Sequence, residues 1–446
     1  MTRPSTSNRN APLSRNAHTE ISLACWITSE GGKEELKRLA SHQGDELHLL
    51  SHLRGRLSPE QAKLLVEQHL LRMRGKRKFH NADRMYFESV ALEQASDEIV
   101  ATYKASRFPR EVLVIDLCCG IGGDLIALAN RGPVVGVDFS PVRGWMAAEN
   151  VQANRESSAK DFLLLVCSAT DVQLDASVCW HIDPDRRARG SRSVQLRQHS
   201  PDQSQIEKML RTNENGSVKL APATDVPMEW ESKAELEWIG HSRQCHQLMA
   251  WFGSLAKKPG QRRATVLPSK GFVQVAHDQS VGHTLEQCKE NRHATKQAGT
   301  LAESLVGEPH VAIPIVDKPW RYFFEPQAAV LAADLTGELA AQASLATLAP
   351  GMVYLTGDEP LHSRLFASFE VLDLLPLHEK RLRQYLRKRN VGHVDVKKRG
   401  VDIDPAKLCK RLRGQGEEHA TLVITRIGPS VVVLIVRRLG QDDKLP

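Results

Sequence analysis

A glycine-rich segment in the first half of the chain has the composition of a ligand-binding turn. It reads Asp116-Leu117-Cys118-Cys119-Gly120-Ile121-Gly122-Gly123-Asp124 and directly follows the short apolar run Val112–Ile115. Glycine lets such a turn adopt positive φ, and it allows a ligand to approach the backbone where the next helix begins. Leu125 stands where a dinucleotide-binding fingerprint requires its third glycine, which counts against NAD or FAD as the ligand.

Polar residues also follow the next three apolar runs. The second run ends in Asp138, eighteen residues beyond Gly120, where a carboxylate can accept both hydroxyls of a ribose. Ser168–Asp171 follows the third run, and Asp183-Pro184 follows the fourth. This ordered set predicts a site for S-adenosylmethionine (SAM) at the carboxyl edge of a parallel sheet. Cofactor binding is assigned to Asp116, Cys118, Gly120, Gly122, Gly123, Asp138, Phe139 and Asp171.

The cysteines of the chain are interpreted as packing residues. Cys118 and Cys119 fit a turn that is too tight for larger side chains. No Cys-x-x-Cys pair occurs among the eight cysteines, so no metal site and no disulfide framework are predicted. Such usage is typical of a reducing compartment. Because no apolar stretch is long enough to span a bilayer and no secretory signal is apparent, a cytoplasmic protein without a membrane partner is expected.

The residues after the fourth run indicate what chemistry the site performs. Methyl transfer from a sulfonium is an in-line displacement, so the enzyme has to hold the acceptor lone pair against the methyl group. Amino-methyltransferases do this with an Asp/Asn-Pro-Pro-aromatic motif, in which the oxygens hold an exocyclic amine and the ring stacks on the base. Here Asp185 and Arg186 replace the second proline and the aromatic residue. Catalysis is assigned to Asp183, Pro184 and Arg186.

Four arginines close to this motif leave two interpretations open. They either meet a phosphate or carboxylate of the substrate, or they form a solvated loop that is paired with the acidic core. The arginines concerned are Arg186, Arg187, Arg189 and Arg192.

The elements that must position these residues are strands and helices in alternation. From residue 112 to residue 182, short apolar runs alternate with helical segments, which predicts a doubly wound, mostly parallel α/β sheet. This domain is expected over 108–325, with a helix at 244–251 and a polar loop or insertion at 275–305. Before it, the sequence predicts a disordered tail and then a helical region, over residues 1–20 and 21–107.

The last part of the chain has a different pattern. An Ala/Leu-rich linking helix is predicted over 326–349, followed by a small α+β domain over 350–440. Within that domain, a basic helix at 378–389 and a helix at 405–413 flank a strand. Two long apolar runs separated by Gly428-Pro429 predict a terminal hairpin.

Charge is distributed unevenly along the chain. The 446 residues include 60 Lys and Arg against 53 Asp and Glu, for a net charge of +7. Residues 377–446 contain 17 basic and 8 acidic side chains, so the rest of the chain is slightly acidic. A second basic segment, 54–84, contains the run Arg72–Lys78, which is interpreted as a solvated helix end or as a nucleic-acid contact. With 25% charged and 5% aromatic residues, the composition excludes collagen-like and wholly disordered chains.

Several blocks of the sequence carry a family resemblance. They are Lys78-Phe79, Met85-Tyr86-Phe87, Ala91–Ser96, the glycine-rich segment, Asp183-Pro184-x-Arg186-Arg187 and Val396–Pro405. Together they resemble bacterial class I methyltransferases that carry a C-terminal THUMP-like domain. The core of those proteins is similar to trimethylguanosine synthase, the RNA-cap guanine-N2 enzyme. The resemblance implies SAM binding by Gly120, Gly122 and Asp138, and methyl transfer to RNA.

Three functions are consistent with these features. The first is an RNA methyltransferase that acts on a base nitrogen, with RNA bound by the basic C-terminal domain, for which Lys397, Lys398 and Arg399 are the candidate contacts. The second is a small-molecule or protein methyltransferase with a dimerising C-terminal domain. The third is a protein that still binds SAM or RNA but has lost catalysis. The sequence leaves the acceptor atom, the type of RNA and the oligomeric state open.

Overall fold

The computed structural model describes residues 15–40, 45–53, 55–156, 162–186, 193–268, 302–427 and 429–439. The chain divides into two compact units. One consists of Met1–Lys219 and Phe252–Leu255, and the other of Leu220–Trp251 and Ala256–Pro446. Within the described ranges, no helix combines the length and the apolar character needed to cross a membrane.

Helices form the N-terminal part of the first unit. They are α1 (Arg15–Thr28), α2 (Glu30–Ala40), α3 (Glu46–Leu53), α4 (Pro59–Gly75), α5 (Ser89–Gln94) and α6 (Glu98–Ser106). Ser58 caps α4 in a capping box with Gln61. The expectation of a disordered tail over 1–20 is wrong from Arg15 onward, while residues 1–14 lie outside the described residues. Helix α1 buries Ala24 and Ile27, so tertiary packing stabilises a segment whose local sequence is polar.

The basic run at the end of α4 is partly structural. Arg72 donates through Nε to the carbonyl of Met85 over 2.8 Å, and its guanidinium lies over the ring of Tyr86. Lys78 donates through Nζ to three carbonyls near the C-terminus of α5, those of Leu92, Glu93 and Ala95. Burial lowers the pKa of Lys78 to about 8. For these two cations, the interpretation of the run as a solvated helix end is wrong, and the nucleic-acid contact stays a prediction.

Five parallel strands form the sheet of the first unit. They are β1 (Val114–Leu117), β2 (Val134–Asp138), β3 (Phe162–Val166), β4 (Cys179–Ile182) and β5 (Gly216–Leu220). Their order is β3-β2-β1-β4-β5. The helices that follow β1, β2 and β4 are α7 (Gly123–Arg131), α8 (Pro141–Asn154) and α9 (Gln203–Thr212). The strand order reverses between β1 and β4, and ligands of open α/β sheets bind at the carboxyl ends of the strands at such a point.

The second unit begins with a further group of strands. After α10 (Met228–Lys233) come β6 (Glu235–His241), β7 (Gln244–Trp251), β8 (Arg262–Val266) and β9 (Glu303–Gly307), in the order β7-β6-β8-β9. The helix predicted over 244–251 is wrong, because this segment pairs with β6 in an antiparallel hairpin. Trp251 donates through Nε1 to the buried Glu237 across that hairpin. A short apolar run does not distinguish helix from strand by itself, and here the pairing partner decides.

The predicted insertion and linking helix also need correction. Residues 303–305 belong to β9 rather than to a loop, while 275–301 lie outside the described residues. Instead of one helix over 326–349, two short helices occur, α11 (Ala328–Ala332) and α12 (Thr336–Ala343). Asp334 between them has a positive φ of 57°, which a continuous α-helix does not permit.

A six-stranded sheet completes the second unit. Its strands are β10 (Tyr322–Pro326), β11 (Leu355–Gly357), β12 (Phe366–Pro376), β13 (Val391–Lys398), β14 (Glu418–Ile427) and β15 (Ser430–Arg438), in the order β11-β10-β12-β15-β14-β13. The boundary predicted at residue 325 therefore falls inside a strand of this sheet. Strands β14 and β15 form the predicted hairpin. The helices α13 (Glu379–Lys388) and α14 (Pro405–Leu412) lie close to their predicted bounds, and Asp404 caps α14.

Candidate cofactor and active site

A cavity of about 430 Å³ lies at the carboxyl ends of β1, β2 and β4, within the first unit. Its volume is in the range of small-molecule sites. Most of the residues assigned to the site from the sequence line it: Asp116, Cys118, Gly120, Gly123, Asp138, Phe139, Asp183, Pro184 and Arg186. Gly122 and Asp171 are outside its lining. Of the neighbouring arginines, Arg187, Arg189 and Arg192 lie outside the described residues.

The carboxylate of Asp138 fixes the shape of the glycine turn. Its Oδ2 accepts the backbone N–H of Gly120, and its Oδ1 accepts that of Ser140, each over 2.9 Å. Ser140 in turn caps α8. The side chain is 4% exposed, and burial raises the pKa of Asp138 although both hydrogen bonds lower it. Asp138 therefore links the turn after β1 to the helix after β2 at one wall of the cavity.

The three glycines of the turn have different surroundings. Gly120 has a φ of 56°, and a Cβ built there meets no atom within 4 Å, so its missing side chain leaves room in the cavity. Gly122 also has a positive φ, but a Cβ there would press against Ala147 of α8 at 3.3 Å. A Cβ at Gly123 would likewise press against the side chain of Ala95. Gly120 is thus placed for close approach of a ligand, whereas Gly122 serves the packing of α8.

Asp116 lines the cavity and has one buried carboxylate oxygen without a partner among the described residues. The residue is 1% exposed, and its Oδ2 accepts no hydrogen bond from the described residues. Burial and the nearby Asp124 carboxylate raise the pKa of Asp116 well above its ordinary value. A buried carboxylate oxygen without a donor is costly, so the position is suited to a ligand that brings a cationic N–H group.

The thiol of Cys118 is not set up as a nucleophile. Burial and the neighbouring Asp138 and Asp183 carboxylates raise its pKa, which keeps the sulfur protonated. This agrees with the interpretation of Cys118 as a small residue in a tight turn, where its φ is 61°.

The loop after β3 contributes residues that differ from the one assigned. Ser168, Ala169 and Thr170 line the cavity, whereas Asp171 is exposed and outside the lining. Phe139 lies at the cavity with 68% of its surface exposed. Its ring therefore offers a flat apolar face on the open side of the site.

Asp183 is held by a lysine that the sequence reasoning did not assign. The Nζ of Lys219 on β5 lies 2.6 Å from Oδ2 of Asp183 and also donates to the carbonyl of Gln94. Burial alone lowers the pKa of Lys219, but the carboxylates of Asp183 and Asp124 outweigh it, so the pKa is raised and the side chain stays an ammonium ion. A charged residue inside the otherwise uncharged, buried strand Gly216–Leu220 is the sequence signal that could have indicated this pair.

A buried ionic cluster lies next to this pair. The Nζ of Lys104 is 2.6 Å from Asp124 and 3.0 Å from Oγ of Ser96, which itself donates to Asp124. Nε2 of His181 lies 3.5 Å from the same carboxylate, and burial lowers the pKa of this histidine. Burial by itself raises the pKa of Asp124, but Lys104, His181 and Lys219 together outweigh it and keep this pKa well below its ordinary value. The cluster fixes the base of the cavity, which Asp124 and Ser96 line.

Two segments close the cavity beside Asp183. Gln94, at the end of α5, donates through Nε2 to Asp185 over 3.2 Å. Asp185 and Ser200 pair through both of their backbone N–H groups. Gln94, Asp185 and Ser200 all line the cavity. These contacts join parts of the chain that are far apart in sequence, so spacing alone did not reveal them.

Comparison with known proteins shows the family to which the chain belongs. An uncharacterized S-adenosylmethionine-dependent methyltransferase of Mycobacterium tuberculosis (strain CDC 1551 / Oshkosh) is 31% identical over 382 residues, which cover 83% of this chain and 94% of the relative. A protein of the same description from strain ATCC 25618 / H37Rv matches with the same values. This chain belongs to the S-adenosylmethionine-dependent methyltransferases.

Two further comparisons support the architecture of this methyltransferase. The crystal structure of a protein from Porphyromonas gingivalis W83 that is named as a methyltransferase has a TM-score of 0.66 and 18% identity. It covers 95% of this chain, and this chain covers 99% of it, so the two share a fold. The model of the THUMP domain-like family matches residues 366–438. The class I methyltransferase fold and the THUMP-like C-terminal domain, both expected from the resemblance, are confirmed.

The residues of the cavity fit the cofactor of this methyltransferase family. SAM has an α-ammonium group, a ribose with two hydroxyls and a cationic sulfonium. The unpaired Oδ2 of Asp116 matches the need of the ammonium group for an acceptor, and the open space at Gly120 leaves room beside the backbone. The acidic lining suits a cationic ligand.

The residues assigned to RNA in the second unit of this methyltransferase do not form one cluster. Lys397 is ion-paired with Glu325, and its Nζ lies over the ring of Phe369. Lys398 follows it on the opposite face of β13, because successive strand residues alternate in direction. Lys398 and Arg399 are exposed. Of the three residues, Lys397 is the least suited to contact an RNA phosphate, because its charge is already paired with Glu325.

Proposed function

We propose that this methyltransferase transfers a methyl group from SAM to a nitrogen atom of RNA. The observation that carries the proposal is the combination of a SAM-type cavity, whose Asp183 is held by a buried lysine, with a basic THUMP-like domain in the same chain. An acceptor amine is supported by Asp183 and Pro184, because carboxylate and carbonyl oxygens are acceptors for N–H groups.

In this proposal, two aspartates and one glycine hold the cofactor. Asp138 accepts the ribose hydroxyls with the lone pairs that Gly120 and Ser140 leave available. Asp116 accepts the ammonium group, and the missing side chain of Gly120 leaves space for the ligand next to the backbone. Gly122 and Asp171 are not given a direct contact.

When bound, SAM supplies a methyl group on a sulfonium that is open to displacement along the line of the breaking C–S bond. Asp183 holds an N–H of the acceptor and stabilises the positive charge that develops on nitrogen as the new C–N bond forms and the C–S bond breaks. The methylated nitrogen then loses its surplus proton to solvent. Lys219 donates to Oδ2 of Asp183 and thereby fixes the orientation of the carboxylate. Oδ1 is then held in place to accept the N–H of the acceptor. Gln94 and Ser200 contribute walls that keep the acceptor in place.

The substrate class is tested by labelling. Extracts of cells that lack the gene are incubated with the purified protein and tritium-methyl SAM, and they are then separated into RNA, protein and small-metabolite fractions. We expect label in RNA and its loss with the Asp183→Ala variant. Label confined to protein or to small metabolites would replace RNA as the substrate, and absence of label in all fractions would argue for a protein that has lost catalysis.

SAM affinity is expected to increase as pH rises from acidic to neutral values. The raised pKa of Asp116 keeps part of this carboxyl protonated in the free protein, and the ammonium of SAM favours the ionised form. Binding therefore releases protons, and the affinity rises by up to tenfold per pH unit until the pKa is passed. Isothermal titration in buffers of different ionisation enthalpy measures both effects. The Asp116→Asn variant is expected to bind more weakly at neutral pH and to lose most of this dependence, and an unchanged profile would exclude Asp116 as its source.

A further inference from the structure

Two helices of the C-terminal domain bury their apolar sides against one face of its sheet. Leu382 and Leu386 of α13, and Leu408 and Leu412 of α14, pack on a core that includes Leu422. Their opposite sides are exposed to solvent. The outer faces of α13 and α14 together are called here the basic helix face.

The basic helix face has cations that no acid neutralises. In the described part of the chain, five exposed cations of these helices form no ion pair: Lys380, Arg381, Arg387, Lys388 and Lys410. Lys380 and Arg387 are two helical turns apart on one stripe, about 10 Å along the axis. Glu379 is the acid of α13, and it accepts Arg411 at 2.8 Å and Arg383 at 3.5 Å. No acidic residue occurs in α14.

Contacts between the helices set their arrangement. Nε of Arg383 donates to the carbonyl of Arg411 over 3.0 Å, and Arg411 also pairs with Glu379. These contacts join the two helices side by side. The unpaired cations therefore lie on one continuous surface rather than on two separate helices.

One of the residues assigned to RNA from the sequence lies on the same side of the sheet. In the β13–β14 register, Val396 is opposite Leu422, and Lys398 is opposite Ile424. Leu422 and Ile424 belong to the core that the helices cover. Lys398 thus extends the charge of the basic helix face, whereas Lys397 points to the other side and pairs with Glu325.

The chemistry of this surface favours a polyanion over other partners. Protein interfaces are depleted in lysine and rely on aromatic or aliphatic anchors. The large apolar side chains that are exposed in the described residues all precede residue 316, so the basic helix face has none of them. A membrane-surface helix would need an exposed apolar side, and here that side is buried in the domain core.

We propose that the basic helix face, extended by Lys398, is the surface on which the THUMP-like domain binds the phosphate backbone of RNA. This inference rests on the proposed RNA substrate and names its docking surface. Because phosphate contacts carry no sequence information, binding here is insensitive to base sequence and weakens with salt.

The test reverses three charges on the full-length protein with the substitutions Lys380→Glu, Arg387→Glu and Lys410→Glu. The matched control reverses three exposed lysines of the second unit, Lys233→Glu, Lys258→Glu and Lys318→Glu, which changes the net charge by the same amount. Binding of a fluorescein-labelled RNA hairpin is measured over a salt series. We expect the test variant to lose at least about tenfold in affinity and about 2 to 3 units of the salt slope, and the control to lose less than about twofold.

The outcomes separate the surface from the function. SAM titration and thermal unfolding check that both variants fold, and Lys→Gln and Arg→Gln changes at the same three test positions should produce a smaller loss in the same direction. If the wild-type protein binds the hairpin and the test variant matches the control, the basic helix face is wrong and the RNA substrate stands. If the wild-type protein binds vesicles rich in phosphatidylglycerol but no RNA, or if label enters only protein or metabolites, both the surface and the RNA substrate fall.

Discussion

Replacement of Asp138 by alanine is expected to weaken SAM binding by at least two orders of magnitude. The substitution removes the acceptor for two ribose hydroxyls, and hydrogen bonds to a charged group contribute about 1.5–3 kcal/mol each. It also removes the bonds that hold the N–H groups of Gly120 and Ser140, so the turn loses its connection to α8. Isothermal titration with SAM measures the change, and thermal unfolding without SAM shows whether the domain is intact.

Asp171→Ala is the matched control for this variant. Asp171 was assigned to the cofactor from its position after β3, but it is exposed and outside the cavity lining. We expect its removal to change SAM affinity by less than about threefold, because exposed charges contribute little to binding. If Asp171→Ala and Asp138→Ala weaken binding equally, the role given to Asp138 as the ribose acceptor is not specific. If Asp138→Ala binds like the wild type, the assignment is wrong.

The parts of the site that the sequence predicted are those encoded locally. A glycine turn after one strand, an acid after the next and Asp183-Pro184 after the fourth all lie at strand ends. In a parallel sheet, the carboxyl ends of the strands share one edge, so a linear pattern specifies a three-dimensional cluster. Of the residues assigned to the site, nine line one cavity.

The parts that were missed depend on contacts between distant segments. Lys219 meets Asp183 from a strand 36 residues further along, and Gln94 reaches the same pair from the N-terminal helices. Gly122 stands in the pattern of a ligand-binding turn, but the close packing of Ala147 of α8 explains why this position is glycine. Whether a glycine faces a ligand or a neighbouring helix is decided by tertiary packing, which a single sequence does not display.

Tertiary contacts also account for the differences between the predicted and the observed elements. Residues 244–251 have an apolar run that suits a helix as well as a strand, and the pairing with β6 decides for the strand. Lys397, Lys398 and Arg399 are adjacent in sequence, and this suggested one basic cluster. Alternation along β13 instead sends Lys397 toward Glu325 and Lys398 toward the helix-covered face.

Loss of the Asp183 carboxylate is expected to reduce turnover about a hundredfold and to leave SAM affinity within about threefold of the wild type, because Asp183 holds the acceptor rather than the cofactor. The loss is measured for Asp183→Ala in single-turnover assays, with the fraction that takes up label from SAM as the substrate. Asp183→Asn keeps one acceptor oxygen, and we expect it to recover part of the rate. Full activity of Asp183→Ala would remove Asp183 from the mechanism.

Lys219→Met provides the companion test, since Lys219 acts on the acceptor through the carboxylate of Asp183 in the proposed mechanism. Its effect on turnover is expected to be smaller, about tenfold, and to vanish in the background of Asp183→Ala, as a double-mutant cycle measures. The cycle also addresses stability. Asp183→Ala leaves the ammonium of Lys219 buried with the Gln94 carbonyl as an acceptor, which is expected to lower the free energy of unfolding by about 2 kcal/mol. The double variant removes both charges and is expected to regain part of that loss. Additive losses of turnover in the double variant would show that Lys219 contacts the reacting groups independently of Asp183.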